Sequence, residues 1–142
     1  MKKIFAASLL IILSAVIFCS AKVNNPLRII PLNAKGEKSV NVLRRGENSI
    51  VLHSGFVILK KGESIGKHNT KSFEELLIVF SGKGKFEVEG KEPIFFKKNK
   101  AVYCPPFSEH NVTNIGEKDL KYVYIVANTQ TIGEKKDIPD VI

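Results

Sequence analysis

The sequence after residue 21 consists of short β-rich runs separated by glycine, asparagine and proline, with no helical periodicity of useful length. This pattern is typical of an antiparallel sandwich or barrel. The predicted strands are Leu27–Ile30, Val40–Leu43, Ile50–His53, Phe56–Lys60, Leu76–Phe80, Lys85–Glu89, Ile94–Phe96, Ala101–Cys104, Asn111–Asn114 and Leu120–Ala127. The turn signals between them include Ser54-Gly55, Lys61-Gly62, Gly90-Lys91 and Pro105-Pro106. We therefore expect an all-β fold.

Three of these runs also predict which way their side chains face. Phe86 and Val88 alternate with charged residues, which indicates a strand with one buried face. The run Leu76–Phe80 is apolar at every position, so we expect both of its faces to be covered, as in a central strand. In the last strand Tyr122 and Tyr124 share one face, opposite the aliphatic residues between and after them.

The N-terminus has the composition of a targeting segment. Two lysines precede the apolar run Ile4–Phe18, and Cys19-Ser20-Ala21 follows it with small residues, as at a signal-peptidase site. We expect a signal peptide at residues 1–21 and one domain at 22–142, exported to the periplasm or secreted. An uncleaved membrane anchor and a lipoprotein with a lipidated Cys19 are alternatives, although Phe18 does not fit the second. The polar segment Asn128–Ile142 is expected to be a tail or a surface arm.

The charge of the exported form limits its expected partners, and its cysteine content limits its expected covalent and metal sites. Removal of residues 1–21 takes two lysines away, so the formal net charge falls from +8 to +6 (8 − 2). The remaining lysines come in scattered pairs without interleaved aromatic residues, so we expect neither a nucleic-acid partner nor a membrane span in the mature form. Cys104 is then the single cysteine, which excludes an intramolecular disulfide and a cysteine-rich zinc site.

Two clusters carry the residue types of a metal site. The first contains Gly62, His68, Glu75 and Gly82, and the second contains Pro105, His110 and Asn114. At these spacings the chain resembles the cupin superfamily over roughly Phe56 to Ala127. It departs from the motifs at three positions. Thr70 replaces a histidine, and Asn99 and Phe107 replace glycines.

The resemblance implies a double-stranded β-helix, which is the jelly-roll or cupin barrel. It also implies that His68, Glu75 and His110 are ligands of one divalent transition metal (Fe, Mn, Ni or Zn). Two imidazoles and one carboxylate form a facial triad with open coordination positions. Because Thr70 is a poor ligand, a metal-free pocket stays open as an alternative.

Other residues are predicted near this site. Thr70 is expected to hydrogen-bond a metal-bound water or a substrate, and Tyr103, Cys104 and Phe107 are expected at the pocket or its mouth. Glu74 should point away from Glu75, because adjacent residues of a strand face opposite ways. His53 is interpreted as a packed, hydrogen-bonded core residue.

Function has to be argued from the site, because cupins host unrelated activities. The leading hypothesis is a metal-dependent pocket that acts on a small organic molecule by dioxygenase, isomerase or lyase chemistry. The alternatives are a non-catalytic barrel that binds a sugar or another small polar ligand, and a structural accessory protein. A homodimer is expected, since sheet edges need covering.

Overall fold

A computed structural model describes residues 26–129, which form nine strands and no α-helix. The strands are β1 (Ser39–Leu43), β2 (His53–Leu59), β3 (His68–Asn69), β4 (Phe73–Ser81), β5 (Lys83–Val88), β6 (Ile94–Lys97), β7 (Lys100–Cys104), β8 (Glu109–Asn114) and β9 (Leu120–Asn128). The predicted signal segment with Cys19, and residues 130–142 of the predicted tail, lie outside the described residues.

The strands form two sheets whose pairs are all antiparallel. One sheet has five strands in the order β1-β2-β9-β4-β7, and the other has four in the order β3-β8-β5-β6. Apolar side chains from both sheets form one buried cluster, which includes Leu59, Leu77, Phe86, Val112 and Leu120. This arrangement confirms the predicted all-β jelly-roll fold.

Two of the predicted strands are wrong. Residues 27–30 form no strand, and Leu27 and Ile29 are fully exposed. Of Ile50–His53, the structure assigns to a strand only His53, the first residue of β2. Branched apolar residues raise strand propensity, but a strand also needs a partner to pair with. The predicted Ser54-Gly55 turn is likewise wrong, since both residues lie inside β2 and pair with β9.

The prediction that β4 is a central strand is confirmed, but the prediction that both of its faces are covered is wrong. This strand lies between β9 and β7, and its inward residues Leu77 and Val79 are almost completely buried. Its outward residues Leu76 and Phe80 are 36% and 49% exposed, so only one face is covered by described residues. The prediction for Phe86 is confirmed, because its side chain is 1% exposed.

The two residues that replace motif glycines, Asn99 and Phe107, adopt the backbone conformation that glycine favours. Asn99 has a φ of 62° and Phe107 a φ of 59°, both in the left-handed region. Asparagine tolerates this region, whereas a bulky residue such as phenylalanine is disfavoured there. The turn geometry of the motif is therefore retained at both positions despite the changed side chains.

Asn114 anchors the turn between β8 and β9 onto β2. Its amide nitrogen donates to the carbonyls of Leu59 at 2.9 Å and Lys118 at 3.0 Å. Its side-chain oxygen accepts a hydrogen bond from the backbone N–H of Gly116 at 2.8 Å. Asn114 is 1% exposed, so this motif residue is structural. Within residues 26–129, no helix has the length and hydropathy to cross a membrane.

Candidate metal centre

The three predicted ligands come together between the two sheets. His68 on β3 and His110 on β8 are register partners, so their rings lie side by side with centroids 4.3 Å apart. Glu75 comes from β4 of the other sheet, where it is flanked by Cys104 and Val126, and it faces inward at 6% exposure. The ligand atoms of this group lie within 4.8 Å of one another and could hold a metal ion.

Both imidazoles are oriented by backbone carbonyls. Nδ1 of His68 lies 3.0 Å from the carbonyl oxygen of Gly66, and Nδ1 of His110 lies 2.9 Å from that of Ser108. A carbonyl only accepts hydrogen bonds, so each Nδ1 carries the hydrogen and donates it. In the neutral ring, each Nε2 then keeps a lone pair. This is the tautomer that a metal-ligating histidine needs.

The contact between Glu75 and His110 also fits a bound cation. Oε2 of Glu75 lies 3.0 Å from Nε2 of His110, yet both buried atoms lack a hydrogen-bond partner. With Nδ1 protonated, this contact brings two lone pairs together in a dry site, which is unfavourable unless a proton or a metal ion lies between them. Metal–ligand bonds of about 2.0–2.2 Å place adjacent ligand atoms at about this spacing.

His110 is held rigidly and its pKa is raised. Its ring stacks on Phe86 with centroids 5.1 Å apart, and the residue is 2% exposed. Burial alone would lower the pKa of His110, but the Glu75 carboxylate and the Ser108 carbonyl stabilise the protonated ring, and the net pKa lies above its usual value. A metal ion bound at Nε2 of His110 would therefore have to displace this proton.

Cys104, also predicted at the pocket, does not line the cavity but contacts His110. Its Sγ lies 3.5 Å from Nδ1 of His110 and its side chain is fully buried. Burial, followed by the nearby charge of Glu75, raises the pKa of this thiol. Cys104 is therefore a protonated packing group and lacks the lowered pKa that a reactive cysteine needs.

A cavity of about 510 Å³ is lined by two of the three candidate ligands, His68 and Glu75, but not by His110. Its volume is a common one for a small-molecule site. Most of the wall surface is apolar, although seven of the fourteen lining residues are polar or charged. The lining residues are Ser39, Arg45, His53, Ile65, Gly66, Lys67, His68, Thr70, Phe73, Glu75, Val112, Tyr122, Tyr124 and Val126.

Thr70 lies at the cavity, as predicted, but not because it alternates with His68 along a strand. Thr70 lines the cavity, although β3 ends at Asn69, so strand alternation does not align it with His68. Its hydroxyl donates to the carbonyl of Phe73 at 2.8 Å. Because that hydrogen is already used, Thr70 can only accept a hydrogen bond from a ligand or water.

Two predicted pocket residues lie elsewhere. Tyr103 is on the outer face of β7, where its hydroxyl donates to Oε2 of Glu74 at 3.0 Å. The same contact confirms that Glu74 points away from Glu75. Phe107 is 69% exposed and does not line the cavity. Placing either residue at the pocket mouth was wrong.

The interpretation of His53 was incomplete. Its Nε2 is 3.5 Å from the Tyr124 hydroxyl, but the ring also lines the cavity. Arg45, Lys67 and Phe73 also line the cavity without having been singled out from the sequence. Tyr122 and Tyr124 line the cavity as well, and the alternation of β9 had predicted that these two share one face. No other sequence pattern indicated a cavity-lining residue outside the motifs. Arg45, Lys67 and Phe73 lie in or beside loops, where no periodicity indicates facing.

The family assignment follows from this fold and this site. A family model described as the cupin domain matches residues 55–126, which is just over half of the chain. The chain therefore belongs to the cupin family, and the resemblance drawn from the motifs is confirmed. No curated protein matches the sequence.

Solved cupin structures share the fold at low sequence identity. A cupin 2 conserved barrel domain protein from Salinispora arenicola has a TM-score of 0.62 and 19% identity, over 75% of this chain and 92% of that one. An RmlC-like cupin with a double-stranded β-helix fold from Methanocaldococcus jannaschii has a TM-score of 0.58 and 22% identity, over 72% and 91%. A cupin domain from Schizosaccharomyces pombe has a TM-score of 0.57 and 16% identity, over 65% of this chain but only 61% of its own length. At these identities the likeness shows the fold alone.

Proposed function

We propose that this chain is an exported cupin that holds one divalent transition metal (Fe, Mn, Ni or Zn) on His68, Glu75 and His110 and acts on a small organic molecule. The observation that carries the proposal is that ligand atoms of His68, Glu75 and His110 lie within 4.8 Å of one another, while Nε2 of His110 and Oε2 of Glu75 are buried without a hydrogen bond. Such a site, once loaded, supplies Lewis-acid or redox chemistry at its open positions.

The residues around the ligands have separate roles in this proposal. The carbonyls of Gly66 and Ser108 hold the rings in the ligating tautomer. The wall offers apolar surface to the carbon skeleton of a ligand, and Thr70 offers a hydroxyl oxygen that accepts a hydrogen bond. These features suit dioxygenase, isomerase or lyase chemistry.

The metal proposal is tested by elemental analysis of full-length protein purified without an affinity tag or chelator. We expect about one metal per chain in the wild type, and loss of the metal in His68→Ala and His110→Ala. His53→Ala is the matched control, since it removes a cavity-lining histidine outside the triad and should keep the metal. Thermal melts show whether each variant is folded. His68 is exposed, so its removal leaves the core untouched. No metal after reconstitution with Fe(II), Mn(II), Ni(II) and Zn(II) would overturn the proposal.

A non-catalytic binding cupin is the second candidate, and Thr70 favours it. The position that resembles the second motif histidine holds a hydroxyl already hydrogen-bonded to Phe73, which leaves three metal ligands in place of four. Stabilisation by a ligand without turnover, in metal-loaded protein, would support this candidate over the enzyme.

Export and a homodimer are also proposed. The apolar run before Cys19 supports export, and the exposed outward side chains of Leu76 and Phe80 support a second copy on the five-stranded sheet. Cell fractionation and light scattering after size-exclusion chromatography test these two proposals. A cytoplasmic protein, or a monomer at all concentrations, would contradict them.

A further inference from the structure

The charges on the cavity wall are unbalanced. Among the lining residues, Arg45 and Lys67 carry positive charge, and Glu75 is the single carboxylate. Glu75 faces His110 in the candidate metal centre, with its Oε2 3.0 Å from Nε2 of that ring. The rest of the wall therefore presents cations to a bound molecule and no anion that would offset them.

Arg45 is held in place but has no anionic partner among residues 26–129. Its guanidinium lies 5.8 Å from the ring centroid of Phe73, a cation–π contact that orients it without neutralising it. The neighbouring Arg44 instead pairs with Glu47 at 3.4 Å. Lys67 has only a loose contact with Glu109 at 3.8 Å, whereas the cation–π contact orients Arg45, so Arg45 is the better placed of these two exposed cations.

The loop that carries Arg45 is ordered by its own hydrogen bonds. The backbone N–H of Gly46 donates to the carbonyl of Ser49 at 2.7 Å, and that of Asn48 donates to the carbonyl of Arg44 at 3.1 Å. The side-chain oxygen of Asn48 also accepts from the N–H of Arg44 at 2.6 Å. Arg45 therefore sits on a closed turn, and a ligand does not have to order the backbone.

We propose that the cavity selects organic molecules that carry a carboxylate, and that Arg45 is the residue that binds this group. A guanidinium presents paired donors that match a carboxylate, and the cation–π contact with Phe73 uses none of its N–H groups. The apolar part of the ligand would lie against Ile65, Val112 and Val126. This inference rests on the proposed small-molecule pocket but does not require the metal.

The test compares carboxylic acids with amides of the same shape. Pairs such as 3-phenylpropanoate and 3-phenylpropanamide, with shorter and longer alkyl and aryl chains, are titrated calorimetrically into full-length protein, both metal-free and metal-loaded. We expect the wild type to bind the preferred acid at least tenfold more tightly than its amide in the metal-free protein. Arg45→Gln should reduce this preference to less than threefold.

Arg44→Gln is the matched control, because it removes the same charge from the adjacent position while its partner Glu47 lies outside the cavity. This variant should keep the tenfold preference. Equal binding of acids and amides by the wild type, failure of every pair to bind, or equal effects of the two substitutions would overturn the inference.

Metal analysis of the same samples separates this inference from the proposed function. An Arg45-dependent preference in protein that takes up no metal would support the inference while the metal proposal fails. Stoichiometric metal without any preference for acids would overturn the inference and leave the metal proposal standing.

Discussion

Replacement of Asn114 by alanine tests whether this motif residue is structural. The substitution removes two hydrogen bonds donated to the carbonyls of Leu59 and Lys118, and one accepted from the N–H of Gly116. Each contributes about 1 kcal/mol, and the bonds to Leu59 and Gly116 are buried, so the free energy of unfolding should fall by about 3 kcal/mol. Urea unfolding followed by circular dichroism should show a midpoint lower by about 1.5 M with an unchanged slope.

Asn111→Ala on the same strand is the control. Its side-chain oxygen accepts one hydrogen bond, from the N–H of Gly66 at 3.0 Å, so we expect a loss of about 1 kcal/mol. Asn114→Asp should be no more stable than Asn114→Ala, because a carboxylate cannot donate to the two carbonyls. A loss in Asn114→Ala no larger than that in Asn111→Ala would refute the reasoning.

Three further predictions concern the backbone, the core and the site. Phe107→Gly should raise the free energy of unfolding in urea by about 0.5–1 kcal/mol, because it relieves a left-handed φ of 59° at an exposed side chain; a loss would contradict this. Gly84→Ala should lower it by about 1–3 kcal/mol, because a Cβ there would clash with the ring of Phe96, and most of that loss should vanish in a Phe96→Ala background. In metal-free protein the pKa of His110 is higher in the folded state than in the unfolded state, so the folded state binds this proton more tightly. Protonation of His110 therefore adds to the free energy of unfolding. This contribution is complete below about pH 6.5 and is lost as the pH rises through the pKa of the folded state. Urea midpoints should show this trend in the wild type and not in His110→Gln, whereas metal uptake should weaken as pH falls.

Much of the candidate site was predictable because its residues occur at fixed spacings. In a jelly-roll the strands that hold His68, Glu75 and His110 fold back next to one another. A match to the motif spacing therefore predicts that these three residues lie close together. Thr70 was placed at the cavity for the wrong reason, since β3 is only two residues long. Its hydrogen bond to Phe73 depends on a loop conformation that has no periodic pattern.

For a side chain on a strand, the sequence predicted only whether it shares a face of the sheet with its neighbours. Alternation correctly separated Glu74 from Glu75 and Phe86 from its charged neighbours. It could not show that the apolar outer residues of β4 would stay exposed, because sequence shows which residues share a face but not what covers that face. For the same reason Tyr103 was assigned to the pocket mouth when it lies on the outer face.

The sequence by itself determined the strand-rich architecture, the family and the three residues of the candidate metal centre, because each depends on local pattern or fixed spacing. The tertiary structure decided which other groups reach the cavity. Arg45, His53 and Phe73 are far apart along the chain or lie at the ends of strands, and only the closing of β1, β2 and β4 around the site brings them onto one wall. Contacts between distant residues depend on the path of the whole chain, and no local pattern encodes that path.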